Sequence, residues 1–194
     1  NGTPMFSNSS TASSGFGDLS LQALYGIFNI DNTSLHLNLG LSLPVGRLDL
    51  RDDTPMAENA KLPYPMQLSS GTYDFLLGST FKQTFKNASW GAQFLATFRT
   101  GENSENYRLG NIYRLNAWAA YRVLKNMSLS GRLMGVNSGE ISGADPELNP
   151  MMSPTADPAN SGADIVNGYL GFNLVFKDLR LGAEAGLPLY QHYE

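Results

Sequence analysis

The chain has 194 residues, enough for one domain with a sizeable buried surface, and it carries no cysteine, which excludes a disulfide framework or a thiolate metal site. Charged residues make up 15% of the sequence and the formal net charge is −4, which argues against nucleic acid as a partner. No apolar run approaches the roughly 18 to 20 residues that a membrane helix needs, so the chain is either soluble or crosses a membrane as strands.

In chain order, residues 1–16 open the sequence as a polar loop, NGTPMFSNSSTASSGF, with neither the basic start nor the apolar stretch of a signal peptide. The next segments alternate with period two, which places every second side chain on one face of a strand. Leu19, Leu21, Ala23, Tyr25 and Ile27 form the first such face. Leu35, Leu37, Leu39, Leu41 and Leu43 form the second, opposite Ser34, His36, Asn38, Gly40 and Ser42. No helix would arrange leucines this way. Tyr73, Phe75, Leu77 and Phe81 follow, then Trp90, Ala92, Phe94, Ala96 and Phe98. The remaining faces are Tyr113 to Tyr121, Leu129 with Leu133, Val166 to Phe176, and Leu179 to Leu189. About eight strands are expected on this pattern.

Connection lengths alternate as well. Short ones fall near residues 31–33, 86–88, 124–127 and 177–178, and long ones at 47–71, 100–111 and 137–164. Outer-membrane barrels alternate short turns with long loops in this way. A strand of about ten residues rises roughly 33 Å, or roughly 23 Å vertically at a tilt near 45°, which matches the apolar band of an outer membrane. The expected fold is therefore all-β: a transmembrane antiparallel up-and-down β-barrel, a single domain over residues 1–194, with further strands in a longer chain because the C-terminal LPLYQHYE stops short of an aromatic-ended closing strand. The alternatives are a soluble lipocalin-like barrel that binds a small apolar ligand, and a structural or surface-binding outer-membrane barrel. The polar faces are mostly Ser, Gly, Asn, Thr and Gln and not the Lys and Glu that cover soluble barrels, which favours a wet lumen.

With the apolar faces toward lipid, the expected lumen-lining residues are His36, Asn38, Asp74, Lys82, Arg99, Arg114, Trp118, Arg122, Arg132, Arg180 and Glu184. That lumen is basic, whereas the long loops hold most of the carboxylates, and rings of Arg or Lys favour anions in a pore. The expected function is passive passage of small solutes, with outer-membrane lipid and a small-molecule solute as partners. The loop segment LPYPMQL is too apolar to hang free, and Leu62, Tyr64, Met66 and Leu68 are expected to fold back over the mouth as a constriction.

Runs including SGFGDLSLQALYGIF, LNLGLSLPVG, DTPMAENAKLPYPMQLSSGTYDFLLG, YRLGNIYRLNAWAAYRV and LGAEAGLPLYQ resemble the bacterial outer-membrane transporter-like family of the meta-pathway of phenol degradation, from roughly Ser14 to Tyr193. The resemblance implies a barrel in the cell outer membrane of a Gram-negative bacterium, with additional strands on both sides of this stretch, often associated with uptake of aromatic or other hydrophobic compounds. It brings no catalytic motif.

Candidate chemistry is sparse. Ser34, His36 and Asn38 share a strand face, a set similar to that of outer-membrane phospholipases, but same-face neighbours are roughly 7 Å apart and no catalytic residue is expected. Asp145, Glu147, Asp157 and Asp164 lie among loop prolines without the spacing of an EF-hand, and Met56, Met66, Met151 and Met152 fall in long loops. No metal and no cofactor is expected.

Overall fold

A computed structural model describes residues 10–54 and 57–194; residues 1–9, most of the expected N-terminal polar loop, and Met56 lie outside the described residues. Eight long strands form one sheet. They are β1 (Leu19–Ile30), β2 (Thr33–Leu43), β5 (Asp74–Thr84), β6 (Ala88–Arg99), β8 (Ile112–Leu124), β9 (Met127–Ser138), β11 (Ala163–Phe176) and β12 (Leu179–Tyr193). The intervening numbers belong to two-residue strands in the loops: β3 (Arg51–Asp52), β4 (Ala60–Lys61), β7 (Tyr107–Arg108) and β10 (Ser142–Gly143).

Each long strand pairs antiparallel with its neighbour in the chain, in the order β1-β2-β5-β6-β8-β9-β11-β12. The pairing register keeps the alternation coherent across strands: Leu35 faces Phe81, Leu39 faces Leu77, and Ala96 faces Tyr113. One face of the sheet is therefore apolar and the other polar. At one end the connections are tight. Between β1 and β2 the turn residues Asp31 and Asn32 both take positive φ, 46° and 66°, as a two-residue hairpin turn demands. At the other end lie the three long loops.

The sheet is open. Among the described residues β1 pairs with β2 and β12 with β11 alone, and no ladder joins β1 to β12. This corrects the expected closed transmembrane barrel, and with it the lumen, the passage of solutes and the lipocalin-like alternative, all of which require closure. The expectation failed for a physical reason. Alternation fixes which side chains share a face, but edge closure depends on strand number, tilt and stagger, which the alternation does not encode.

The apolar core sits in the loops, not on a sheet face. Leu50, Leu62, Tyr64 and Tyr107 are buried there, Leu62 completely. On the sheet the apolar face stands bare, with Leu39 48%, Leu115 56% and Leu170 77% exposed.

Candidate functional site

The eleven residues expected to line a lumen share the sheet face opposite Leu35, Leu37 and Leu39, a face that this open sheet does not close around. His36 and Asn38 alternate with Leu35, Leu37 and Leu39 on β2, and Asn38 pairs with Gly78 of β5. Asp74 pairs with Arg99, Lys82 with Gly91, Gly91 with Trp118, and Trp118 with Arg132. Arg114 and Arg122 share their strand face with Trp118, and Arg180 shares its own with Glu184.

Side-chain geometry joins only some of them. The carboxylate of Asp74, wholly buried, receives an ion pair from Arg99 and hydrogen bonds from Thr72 Oγ1 at 2.6 Å and Ser70 Oγ at 3.1 Å. Arg132 donates to Glu184 through Nε at 3.1 Å and Nη2 at 2.5 Å, and its guanidinium lies 3.8 Å from the Tyr169 ring centre. Charge and stacking act together there. Arg180 donates to Asn173 at 3.3 Å. Among the described residues Lys82, Arg114 and Arg122 form no ion pair, so the face remains basic.

One row across the sheet orders this face. Gly91, Trp118, Arg132, Tyr169 and Gly186 stand in register on β6, β8, β9, β11 and β12. A Cβ on Gly91 would fall 2.4 Å from the Trp118 ring, and one on Gly186 would fall 2.3 Å from the Tyr169 ring. Each aromatic therefore lies against the neighbouring strand on a glycine seat. Trp118 was among the expected residues. Tyr169 and the two glycines were not, although a glycine at the register position beside an aromatic is the signal that could have found them.

The loops close over one end of this face through a buried cation. Lys61 of β4 places Nζ 2.5 Å from Glu105, 2.5 Å from Asp145 and 3.7 Å from Glu147, thereby tying all three loops together. Burial alone would lower the pKa of this ammonium; its hydrogen bonds to Asp145 and Glu105 outweigh that and raise it. Beside it, Tyr64 and Tyr107 meet edge to face at 4.8 Å, and Tyr64 Oη accepts from Asp145 N at 3.0 Å. Burial pushes the Tyr107 phenol up to about 12. Leu62 and Tyr64 are buried in this cap, with Met66 and Leu68 half-buried beside them.

Glu105, Asp145 and Glu147 bring carboxylate oxygens within 4.8 Å of one another, but the Lys61 ammonium already supplies their cation. Asp157 instead accepts from Ala159 N at 3.0 Å, and Asp164 from Asn137 Nδ2 at 2.7 Å. Among the described residues no side-chain hydrogen bond joins Ser34, His36 and Asn38, and Asn38 Oδ1 is buried without a partner. Among the described residues, Ser34, His36 and Asn38 do not form a nucleophile with its base in place.

A bare apolar face and a basic polar face capped by loops define a two-faced all-β sheet protein. The chain matches the family described as "Putative MetA-pathway of phenol degradation" over residues 1–145, and it belongs to that family. Among solved structures it resembles an outer membrane channel from Pseudomonas putida F1, with 19% identity, 91% of this chain and 61% of that chain covered, and a TM-score of 0.64. At that identity the likeness concerns the fold alone. The chain spans 61% of the length of that channel. No curated protein matches it.

Proposed function

We propose that this chain is an outer-membrane-associated sheet of a Gram-negative cell whose leucine face rests against lipid acyl chains and whose loop-capped polar face meets small solutes. The observation that carries this reading is the inversion of burial. Asn38, Ser42, Asp74 and Thr80 are buried on the polar face, while Leu39, Leu41 and Leu77 on the apolar face of the same strands are exposed and Leu35, Leu37 and Leu43 are half-buried. Large uncovered apolar surfaces on a protein call for a partner, and acyl chains satisfy a flat face without asking for hydrogen bonds. The polar face supports the second half of the reading, since its stacked Arg132 and Tyr169 and its glycine-seated Trp118 offer a charged and aromatic surface to molecules in water.

Flotation with phospholipid vesicles tests the lipid half. A charge driven against acyl chains costs roughly 2 to 4 kcal/mol at mid-hydrocarbon. Leu39→Arg should therefore release the chain from vesicles, whereas Ser128→Arg on the polar face should leave flotation unchanged. Equal behaviour of the two variants would contradict the assignment of faces.

A further inference from the structure

Charge is segregated along the strands. The chain as a whole is acidic, with a formal net charge of −4, yet the end of the sheet that carries the tight turns holds Lys82, Lys86, Arg122, Lys125, Lys177 and Arg180 against Asp31 and Asp178. All six cations are exposed, and among the described residues none of them forms an ion pair. Lys86, Lys125 and Lys177 sit in the turns themselves, one in each of the hairpins β5–β6, β8–β9 and β11–β12. Those hairpins stand side by side in the sheet, so successive turn lysines are two strand spacings apart, roughly 10 Å. A spread row of this kind suits a plane of separate anions better than one compact polyanion.

The apolar face marks the level of that plane. Phe85, Trp90 and Tyr121 line one surface beside the same turns, with Phe176 at the end of β11, and the Trp90 indole donates to Gln83 Oε1 at 3.2 Å. All four rings are exposed. Tyr and Trp, with an apolar body and a polar tip, settle at the boundary between hydrocarbon and headgroups. The lysines stand just beyond these aromatics, and their flexible stems let the ammonium groups reach past the boundary. Like charges gathered at one end repel each other, and a surface of opposite sign relieves that repulsion.

We infer that the turn end of the sheet selects anionic phospholipid: the Lys86, Lys125 and Lys177 ammonium groups bind headgroups of the phosphatidylglycerol type, whose phosphate charge no headgroup amine neutralises, at the border of the lipid that covers the leucine face. The inference rests on the reading that this face meets acyl chains, and it names the lipid.

Quenching of Trp90 measures the selection in the full chain, with Trp118→Phe leaving Trp90 as the sole emitter beside the β5–β6 turn. In phosphatidylcholine bilayers, chain-brominated phosphatidylglycerol and chain-brominated phosphatidylcholine are compared at equal mole fraction. The anionic lipid should compete for the place beside Trp90 about fivefold better, the value of one cation near an anionic surface. Replacing all three turn lysines by Gln should bring the ratio to one, and replacing them by Arg should preserve it. Salt should reduce it, because the screening length falls to about 3 Å at 1 M. Arg47→Gln combined with Arg108→Gln, at the loop end, should leave the preference unchanged. A preference that survives the three Gln substitutions, or is lost with the three Arg substitutions, would overturn the inference. If brominated phosphatidylcholine alone fails to quench Trp90, the reading of the leucine face fails and this inference with it; if the two lipids quench alike, that reading stands and this inference alone fails.

Discussion

The two faces of the sheet use the same strands and reverse the usual relation between chemistry and burial. On the apolar face Ala96 is buried, beneath Tyr113 and its neighbours Phe94 and Phe98, and most leucines, among them Leu39, Leu115, Leu133 and Leu170, are exposed. On the polar face Asp74, Asn38, Ser42, Thr80 and Gly91 are buried under side chains and loops. The polar side is where the molecule organises itself: ion pairs, a stacked guanidinium and two aromatic rings laid on glycines. The apolar side has ring contacts, Phe81 with Trp90 and Tyr113 with Phe94 and Phe98, and among the described residues no ion pair. Fully burying one leucine is worth about 1.5 to 3 kcal/mol, so leaving a whole face uncovered forgoes many times the net stability of an ordinary domain unless something else covers it. The polar face is thus the one the chain covers from within, and the apolar face the one it leaves open.

Removing the buried cation of the cap should have the largest effect on this contrast. Lys61→Ala leaves the carboxylates of Glu105 and Asp145 without their shared partner, and breaking a buried ion pair in this way costs about 3 to 5 kcal/mol. Hydrogen exchange should accelerate through all three long loops while the amides of β8 and β9 remain protected. Unchanged loop protection would mean that Lys61 does not hold the cap.

Glycine substitutions sharpen the contrast face by face. Gly91→Ala sets a Cβ 2.4 Å from the Trp118 ring, and overpacking of this kind costs about 1 to 3 kcal/mol. Gly135→Ala on the apolar face meets nothing within 4 Å and should change stability by no more than about 0.5 kcal/mol. Denaturation of the pair in detergent gives both values. Similar costs at the two sites would remove the distinction between a built face and a bare one.

Acid should act more gently and on the loop end alone. Burial tends to raise the pKa of Asp18, but hydrogen bonds from the Ser69 hydroxyl at 2.5 Å, the Ser70 amide at 2.8 Å and hydroxyl at 2.9 Å, and the Gly46 amide at 3.2 Å outweigh it, and the carboxyl is held below the usual range. Its contribution is therefore complete above the unfolded value, about 3.9, and is lost as pH falls through the lower folded value. The loops around Gly46 and Ser70 should loosen in that window, and Asp18→Asn should remove the step. A step that survives in Asp18→Asn would assign the acid response to another group.

Much of the sheet was legible in the sequence. The leucines at 35, 37, 39, 41 and 43 identify β2 and its face, and the polar pair Lys177 and Asp178 identifies the turn into β12, because a period of two leaves one way to orient a strand. Closure was not legible, and the expected barrel was wrong, because the same alternation serves an open sheet. Lys61 was missed for a different reason. Its three carboxylates come from two other loops, and no local spacing records that convergence. Tyr169 was missed because its importance comes from cross-strand register, which joins it to Arg132 on β9 and Gly186 on β12. Arg132 and Glu184 were both expected on the polar face, but their pairing depends on the same kind of long-range contact.

The chain has two tryptophans, and they report on opposite faces: Trp90 stands with the apolar residues of β6 and Trp118 with the polar residues of β8. In vesicles of brominated phospholipid, the Trp118→Phe variant retains Trp90 as its sole emitter and the Trp90→Phe variant retains Trp118. Bromine on the acyl chains should quench Trp90 strongly and Trp118 weakly, and aqueous acrylamide should reverse that order. Equal quenching of both tryptophans by the brominated lipid, or stronger quenching of Trp118, would contradict the assignment of the leucine face to lipid.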